Sequence, residues 1–271
     1  MNSYNSAWQT KLLAVFAIVF MLFPLAVVIP VSFTSKRYLS MPDGNWSFRH
    51  YQALLGDEQW LHSIGQSLLL GLLTCVLATL LVLAFSLSIW YMRSRLAKVG
   101  IGIAMLPMIM PPVISAMILY YMETAVSAAH KGLGYDSIAG VTLAHVIMVL
   151  PFGVITMMVS LGQLDRRIEM AARNLGASLW QTIGYVILPN LKFGIAATAL
   201  LSFALSWEEV AVTLFITSVD VVTLPKQIWG GLRDNVNPSV AALSVILIAI
   251  TLLILVVKSV VQARYEHGVE K

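Results

Sequence analysis

Two adjacent carboxylates, Glu208 and Glu209, stand inside an apolar run covering residues 192–216. A charged group near the centre of a bilayer costs about 3 kcal/mol or more on insertion scales, so such residues face a cavity or a partner. A helical wheel separates the two acids. Ser202, Ser206, Glu209, Thr213 and Thr217 recur at spacings of 4, 3, 4 and 4 and share one face. This polar stripe, with Glu209 at its centre and Ser206 one turn before, is the candidate pathway lining, to which Trp207 and Glu208 are added as its neighbours in sequence. Glu208 has Ala204, Leu205, Ala211 and Val212 at i±3 and i±4, an apolar face suited to a partner subunit or to a protonated acid. A carboxylate in a transport path suits a cationic amine. The alternative for Glu209 is an anchor between helices with no cargo contact.

The second chemistry-bearing stretch is EMAARNLGASLWQTIGYVILP, residues 169–189. Ile168, Ala171, Ala172 and Leu175 follow helical spacing, with Asp165, Arg166, Arg167, Glu169, Arg173 and Asn174 on the polar side. Gly176 breaks this first helix as a C′ glycine does. Ser178 caps a second helix, with Gln181 in capping-box position, which is expected to run through Trp180, Ile183 and Ile187 to Pro189. Ala171 and Ala172 leave little bulk, so a partner can approach the backbone. The segment reads either as a docking surface, Glu169 and Met170 through Ala177 and Ser178, or as an interfacial helix pair on lipid.

Other chemistry is sparse. His145 lies in an apolar run, where a neutral histidine bonded to a neighbouring helix and a proton relay are the two readings. The five histidines lack metal-ligand spacing, and the sequence has no G-x-x-x-x-G-K-[ST], H-E-x-x-H or G-x-S-x-G. No catalytic residue, metal site or cofactor is expected in this chain. The one cysteine, Cys75, excludes an internal disulfide.

The elements that position these groups follow from composition. Of 271 residues, 59% are hydrophobic and 11% charged, against roughly 25% charged in soluble domains. Mean hydropathy is +0.84. The class is all-α, a polytopic membrane protein, and the +4 formal charge serves topology, not nucleic acid. A span needs about 20 mainly apolar residues. Six windows qualify: residues 12–33, 64–91, 99–121, 138–160, 192–216 and 239–258. They form a single transmembrane domain over residues 1–271, with no repeat and no soluble domain. The N-terminal run is too long for a cleaved signal segment and reads as the first anchor. Pro107, Pro111 and Pro112 break regular helix in the third window, so this span is expected to line a cavity with the fifth.

Orientation follows from basic residues. Eleven Lys and Arg fall on the face holding Lys11, Arg93, Arg166, Arg167, Arg173 and Lys258, against six on the face of Lys36, Arg37, Arg49, Lys131, Lys226 and Arg233. The richer face is cytoplasmic by the positive-inside rule, which places both termini inside. The longest outer segment, residues 34–63, carries Trp46, Tyr51 and Trp60, which suit an interfacial belt; Tyr120 and Tyr121 fit the same reading.

The 161–191 loop resembles the cytoplasmic EAA loop of the inner-membrane permease subunits of ABC importers. The pattern is E-A-A, three residues, G, nine residues, I-x-L-P. It falls on Met170, Ala171, Ala172, Gly176, Val186, Leu188 and Pro189, with Met170 where the family has glutamate. Gln66-Ser67-Leu68, Pro111-Pro112 and Leu150-Pro151-Phe152 are also similar. Leu205-Ser206-Trp207-Glu208-Glu209 resembles the second permease of spermidine/putrescine-type importers. That resemblance implies the type I importer permease fold and the bacterial inner membrane. It implies a homologous permease partner, two copies of an ATPase that bind ATP and Mg, a periplasmic binding protein and surrounding lipid. The cargo it implies is a polyamine-like cation. Polyamine permeases often carry a further acid after the third-span proline, where this chain has Val113, so an opine, an amino-phosphonate or another small organic solute is the alternative. A self-contained secondary transporter or channel using Glu209 and His145 is the rival class.

Overall fold

The computed structural model describes residues 8–92, 95–130, 132–234 and 237–269. Among the basic residues used for orientation, Arg93, Lys131 and Lys271 lie outside the described residues, as do the side chains of Lys98, Lys258 and Arg264. The described residues contain helices and one isolated β-bridge, Thr34 to Trp46, with no strand.

Helix α1 covers Trp8–Ser32, α2 Arg49–Gly56 and α3 Glu58–Met92. The third window is not one helix. It is α4 (Arg95–Ala104), α5 (Leu106–Ile109) and α6 (Pro112–Ala129). Proline lacks the N–H that continues a helix and forces the residue before it to be extended. Met110, before Pro111, has φ −78 and ψ 141, and Pro111 itself is extended at the start of α6. The apolar stretch long enough to span is therefore Pro112–Ala129, later than the window suggested. Helix α7 matches its window, Ile138–Gly162.

After α7 come α8 (Arg166–Asn174), α9 (Leu179–Thr182), a π-helical turn (Ile183–Ile187) and α10 (Leu188–Asn190). The second loop helix thus passes Pro189 and does not end there, because the wide π-turn seats the proline in the first turn of α10. The fifth window is also divided. Helix α11 (Lys192–Glu208) stops at the paired acids, and α12 (Ala211–Ile216) restarts two residues later. Helices α13 (Leu224–Asp234) and α14 (Ser239–Val269) complete the described chain. Among the described residues, five helices are long and apolar enough to cross a membrane, or six if Leu179–Asn190 and Lys192–Glu208, bent by 70°, count as one span.

The chain divides into two compact units, one built on residues up to Leu61 and from Ile228 onward, the other on His62–Gln227. In the first, α1 packs along α14 and α2 on the start of α14. Most of α1 is exposed, with Leu13, Phe16, Phe20 and Phe23 each more than half accessible, as a lipid-facing helix requires. Between α1 and α2, residues 33–48 fold back through Ser47 N–H to the Phe33 carbonyl. Phe33, Trp46, Phe48 and Tyr51 stack around this turn. Trp60 departs from the belt reading: it is buried inside this unit.

In the second unit, α7 is the central element, buried along much of its length. One apolar cluster, including Leu70, Ala116, Leu119, Ala144, Val212 and Ile216, packs α3, α6, α7 and α12 together. A second, including Val82, Trp90, Val154, Met157, Leu161 and Ile187, packs α3 and the other end of α7 on the π-turn. Helix α11 lies along α7 at close range. A Cβ on Gly194 would stand 2.4 Å from Ser160 Oγ, so only glycine permits this approach.

Candidate functional site

A cavity of about 230 Å³ lies where two broken helical segments meet α7. Pro107, Met108, Met110 and Pro112 come from the broken α4–α6 segment. His145, Met148, Val149 and Phe152 come from α7, and Leu205, Ser206, Glu208 and Glu209 from the end of α11. The expected pairing of the third and fifth segments is present, with α7 as a further wall that the sequence did not mark.

The two acids do not face different ways. A continuous helix would hold them about 100° apart, but α11 ends at Glu208 and Glu209 adopts an extended conformation, φ −69 and ψ 115. Both therefore line the same cavity, which corrects the assignment of Glu208 to a separate apolar face. Glu209 has a second task. Its Oε1 accepts the Val212 N–H at 2.8 Å, capping the first turn of α12 where free backbone donors favour a carboxylate.

The other stripe residues turn inward. His145 is buried and spans the break, with Nδ1 2.8 Å from Ser206 Oγ on α11 and Nε2 3.1 Å from Thr213 Oγ1 on α12. The tautomer follows from the hydroxyls. Thr213 spends its single proton on the Glu209 carbonyl, 3.2 Å away, so it accepts from His145 Nε2–H, and Ser206 donates to Nδ1. Ser206 reaches the cavity wall; Thr213 and Ser202 are buried outside it, and Trp207 stacks on Phe203. The helix break undoes the single face that a regular wheel gives Ser202, Glu209 and Thr213.

The network continues beyond α12. Thr217 Oγ1 donates to the Thr213 carbonyl at 2.7 Å and accepts from Lys226 Nζ at 2.7 Å. Lys226 also donates to the Ser218 carbonyl. Asp136 binds the same loop, accepting backbone N–H groups of Ser218, Val219, Asp220 and Val221 at 2.8–3.1 Å. Burial alone would raise the Asp136 carboxyl, but these four donors hold it below its ordinary value. Burial pushes the Lys226 ammonium down, opposed by Asp136. Gln66 bonds the Val222 N–H and Asp220 carbonyl, and Ser67 accepts the Leu224 N–H. The Gln66-Ser67 pair thus fastens the 218–224 loop to α3.

At residues 165–181 the expected caps and the glycine ending are present. Asp165 caps α8 through Arg167 N–H. Gly176 has φ +89. Gly176 N–H bonds the Arg173 carbonyl and Ala177 N–H the Ala172 carbonyl, the paired bonds of a Schellman ending. Ser178 and Gln181 form the reciprocal capping box. Glu169 is committed inside the chain: its Oε2 accepts Trp90 Nε1–H at 3.1 Å. Arg166, one turn earlier, lays its guanidinium 3.9 Å over the Trp90 ring and donates to its carbonyl. Met170, Ala171, Arg173, Gly176 and Ser178 are exposed, while Ala172 and Ala177 are half-buried. Leu175, Trp180 and Tyr185 are about 80–90% accessible.

Residues 80–267 match the model of the family described as binding-protein-dependent transport system inner membrane component. The chain belongs to this family. It is 27% identical to the spermidine/putrescine transport system permease protein PotC of Haemophilus influenzae, covering 90% of this chain and 92% of that one. It is likewise 27% identical to the putrescine transport system permease protein PotI of Escherichia coli, covering 90% and 86%. A probable molybdenum ABC transporter permease of Haloferax volcanii is 31% identical, covering 71% of this chain and 73% of that relative. Among solved structures, a bacterial ABC transporter involved in import of the acidic polysaccharide alginate superposes with TM-score 0.70 at 16% identity, covering 95% of each chain. In this family member the paired acids and the exposed loop helices are thus features of an ABC importer permease similar to polyamine permeases.

Proposed function

We propose that this chain is one of two homologous permease subunits of an ATP-driven importer for a small cationic amine of the polyamine class. The observation that carries the cargo assignment is the convergence of Glu208 and Glu209 on one cavity. Two carboxylates among methionine, proline and aromatic walls suit an ammonium on an apolar stem.

In this reading the whole chain forms one permease domain with six spans and both termini in the cytoplasm of a bacterial inner membrane. Helices α11 and α12, within residues 192–216, form the fifth span, and residues 161–191 stay with the cytoplasmic loop. The α8–α9 turn is the docking surface for an ATPase subunit, two copies of which bind ATP and Mg; the permease itself holds no cofactor. Met170, Ala171, Arg173 and Gly176 offer the exposed contact, with Leu175 and Trp180 beside them. Glu169 orients α8 through Trp90 instead of reaching the ATPase. A periplasmic binding protein delivers cargo; a bacterial alginate ABC transporter of similar fold is found in complex with an alginate pentasaccharide-bound periplasmic protein.

The test is uptake of labelled putrescine by the reconstituted complex. Uptake is expected to require ATP and to fall about tenfold or more in Glu208→Gln and Glu209→Gln, the scale of losing one charge-assisted contact, while ATPase activity persists. Uptake by this chain alone without ATP would overturn the importer reading. Undiminished uptake in both variants would overturn the cargo assignment.

A further inference from the structure

In the unit built on α1, α2 and α14, a cavity of about 400 Å³ is lined by Arg37, Arg49, His50, Asp57, Trp60 and Ser239, among others. Among the described residues, neither guanidinium has a hydrogen-bonded or ion-paired side-chain partner. The neighbouring lysine is already used: Lys36 pairs with Asp43. One carboxylate shares the wall, but Asp57 Oδ1 accepts the Gln59 N–H at 2.9 Å and is held as the cap of α3. His50 donates Nε2–H to the Lys36 carbonyl at 2.8 Å, which fixes the ring against the wall. Two guanidiniums therefore face one committed carboxylate. Such a cavity takes a phosphate or another oxyanion through forked donors.

A second, apolar groove lies in the same unit. About 340 Å³ lies between α1 and α14, lined by Val27, Val28, Val31, Leu39, Val240 and Ala241. The two share a border in the chain itself: Ser239 lines the polar cavity and Val240 the groove, and Arg37 lines the former and Leu39 the latter. A ligand fitting both has an anionic head and an aliphatic tail. We infer that this unit binds an anionic phospholipid, its phosphate on Arg37 and Arg49 and an acyl chain in the α1–α14 groove. Basic pockets beside membrane helices take anionic head groups on the same physical grounds.

Native mass spectrometry of the full chain in mild detergent tests this, with phosphatidylglycerol, phosphatidylcholine and glycerol-3-phosphate titrated separately. Long-chain phosphatidylglycerol is expected to give a retained adduct. Affinity is expected to fall about tenfold or more in Arg37→Gln/Arg49→Gln and by less in Arg37→Lys/Arg49→Lys, which keeps the charge and loses the fork. Both arginines are exposed, so the variants are expected to keep the wild-type helical circular dichroism. A dihexanoyl phosphatidylglycerol is expected to bind more weakly than the long-chain lipid. Equal binding of phosphatidylcholine, unchanged affinity in the glutamine variant, or glycerol-3-phosphate binding as tightly as lipid would each overturn the proposal. So would loss of the adduct on assembly with another protein subunit, which would assign the groove to that subunit.

Discussion

Glu209 illustrates how one side chain serves two roles. It lines the cavity and caps α12, so its replacement by alanine would confound transport with helix stability, whereas glutamine retains a carbonyl acceptor for Val212. Glu169 has a comparable commitment to Trp90. Glu169→Ala leaves the indole N–H unpaired in a largely buried setting, and unfolding in detergent is expected to become easier by about 1–3 kcal/mol. Asp136 carries the clearest pH signature. Its folded carboxyl lies below the ordinary value of 3.8, so its stabilisation is present above that value and is lost as pH falls through the lowered folded one. The hold on Ser218–Val221 is therefore expected to loosen only below about pH 4. Hydrogen exchange of these four amides as pH falls checks this, and Asp136→Asn is expected to speed their exchange at neutral pH.

At the scale of elements, breaks in the helices create the site. Prolines divide the third segment, and α11 ends at the paired acids; each break frees backbone groups that must be satisfied locally. His145 bridges the α11–α12 break with both ring nitrogens, so both helices are tied to α7. The α7–α11 contact depends on Gly194. In Gly194→Ala the new methyl meets Ser160 at sub-contact distance, and one helix must shift. The expected result is loss of about 1–3 kcal/mol of stability, as in overpacked cores, measured by thermal unfolding, together with reduced uptake because both helices line the cavity. The α8–α9 turn depends in turn on Gly176 at φ +89. Gly176→Ala is expected to cost about 1 kcal/mol locally and to lower ATP-coupled uptake more than stability.

For the whole molecule, the importer reading makes a topological demand. Arg173 and Arg49 fall on opposite sides in the basic-residue count, with Arg173 on the richer face. Single cysteines at these positions, in a Cys75→Ala background, are expected to label from opposite sides of the membrane, Arg173→Cys from the cytoplasm only. An ATPase subunit is expected to protect Arg173→Cys and leave Arg49→Cys reactive. Labelling of both from one side would refute the six-span arrangement with both termini inside.

Much of this was legible before any coordinates. Apolar runs reveal membrane helices because lipid leaves backbone groups no other partner. The Gly176 ending and the Ser178–Gln181 box were readable because capping is local, decided within about six residues. What stayed hidden depended on contacts distant in sequence or on departures from a regular helix. The wheel assumed an unbroken turn at Glu209, so it separated two acids that the break brings to one cavity. The pairing of Glu169 with Trp90 joins positions 79 residues apart, and the bonds of Asp136 to the 218–221 loop span more than 80. Local spacing shows that these groups are polar and where their helices begin and end. Only tertiary packing decides whether a carboxylate reaches solvent, cargo, or a backbone amide from another helix, because that choice is set by which buried donors lack another partner.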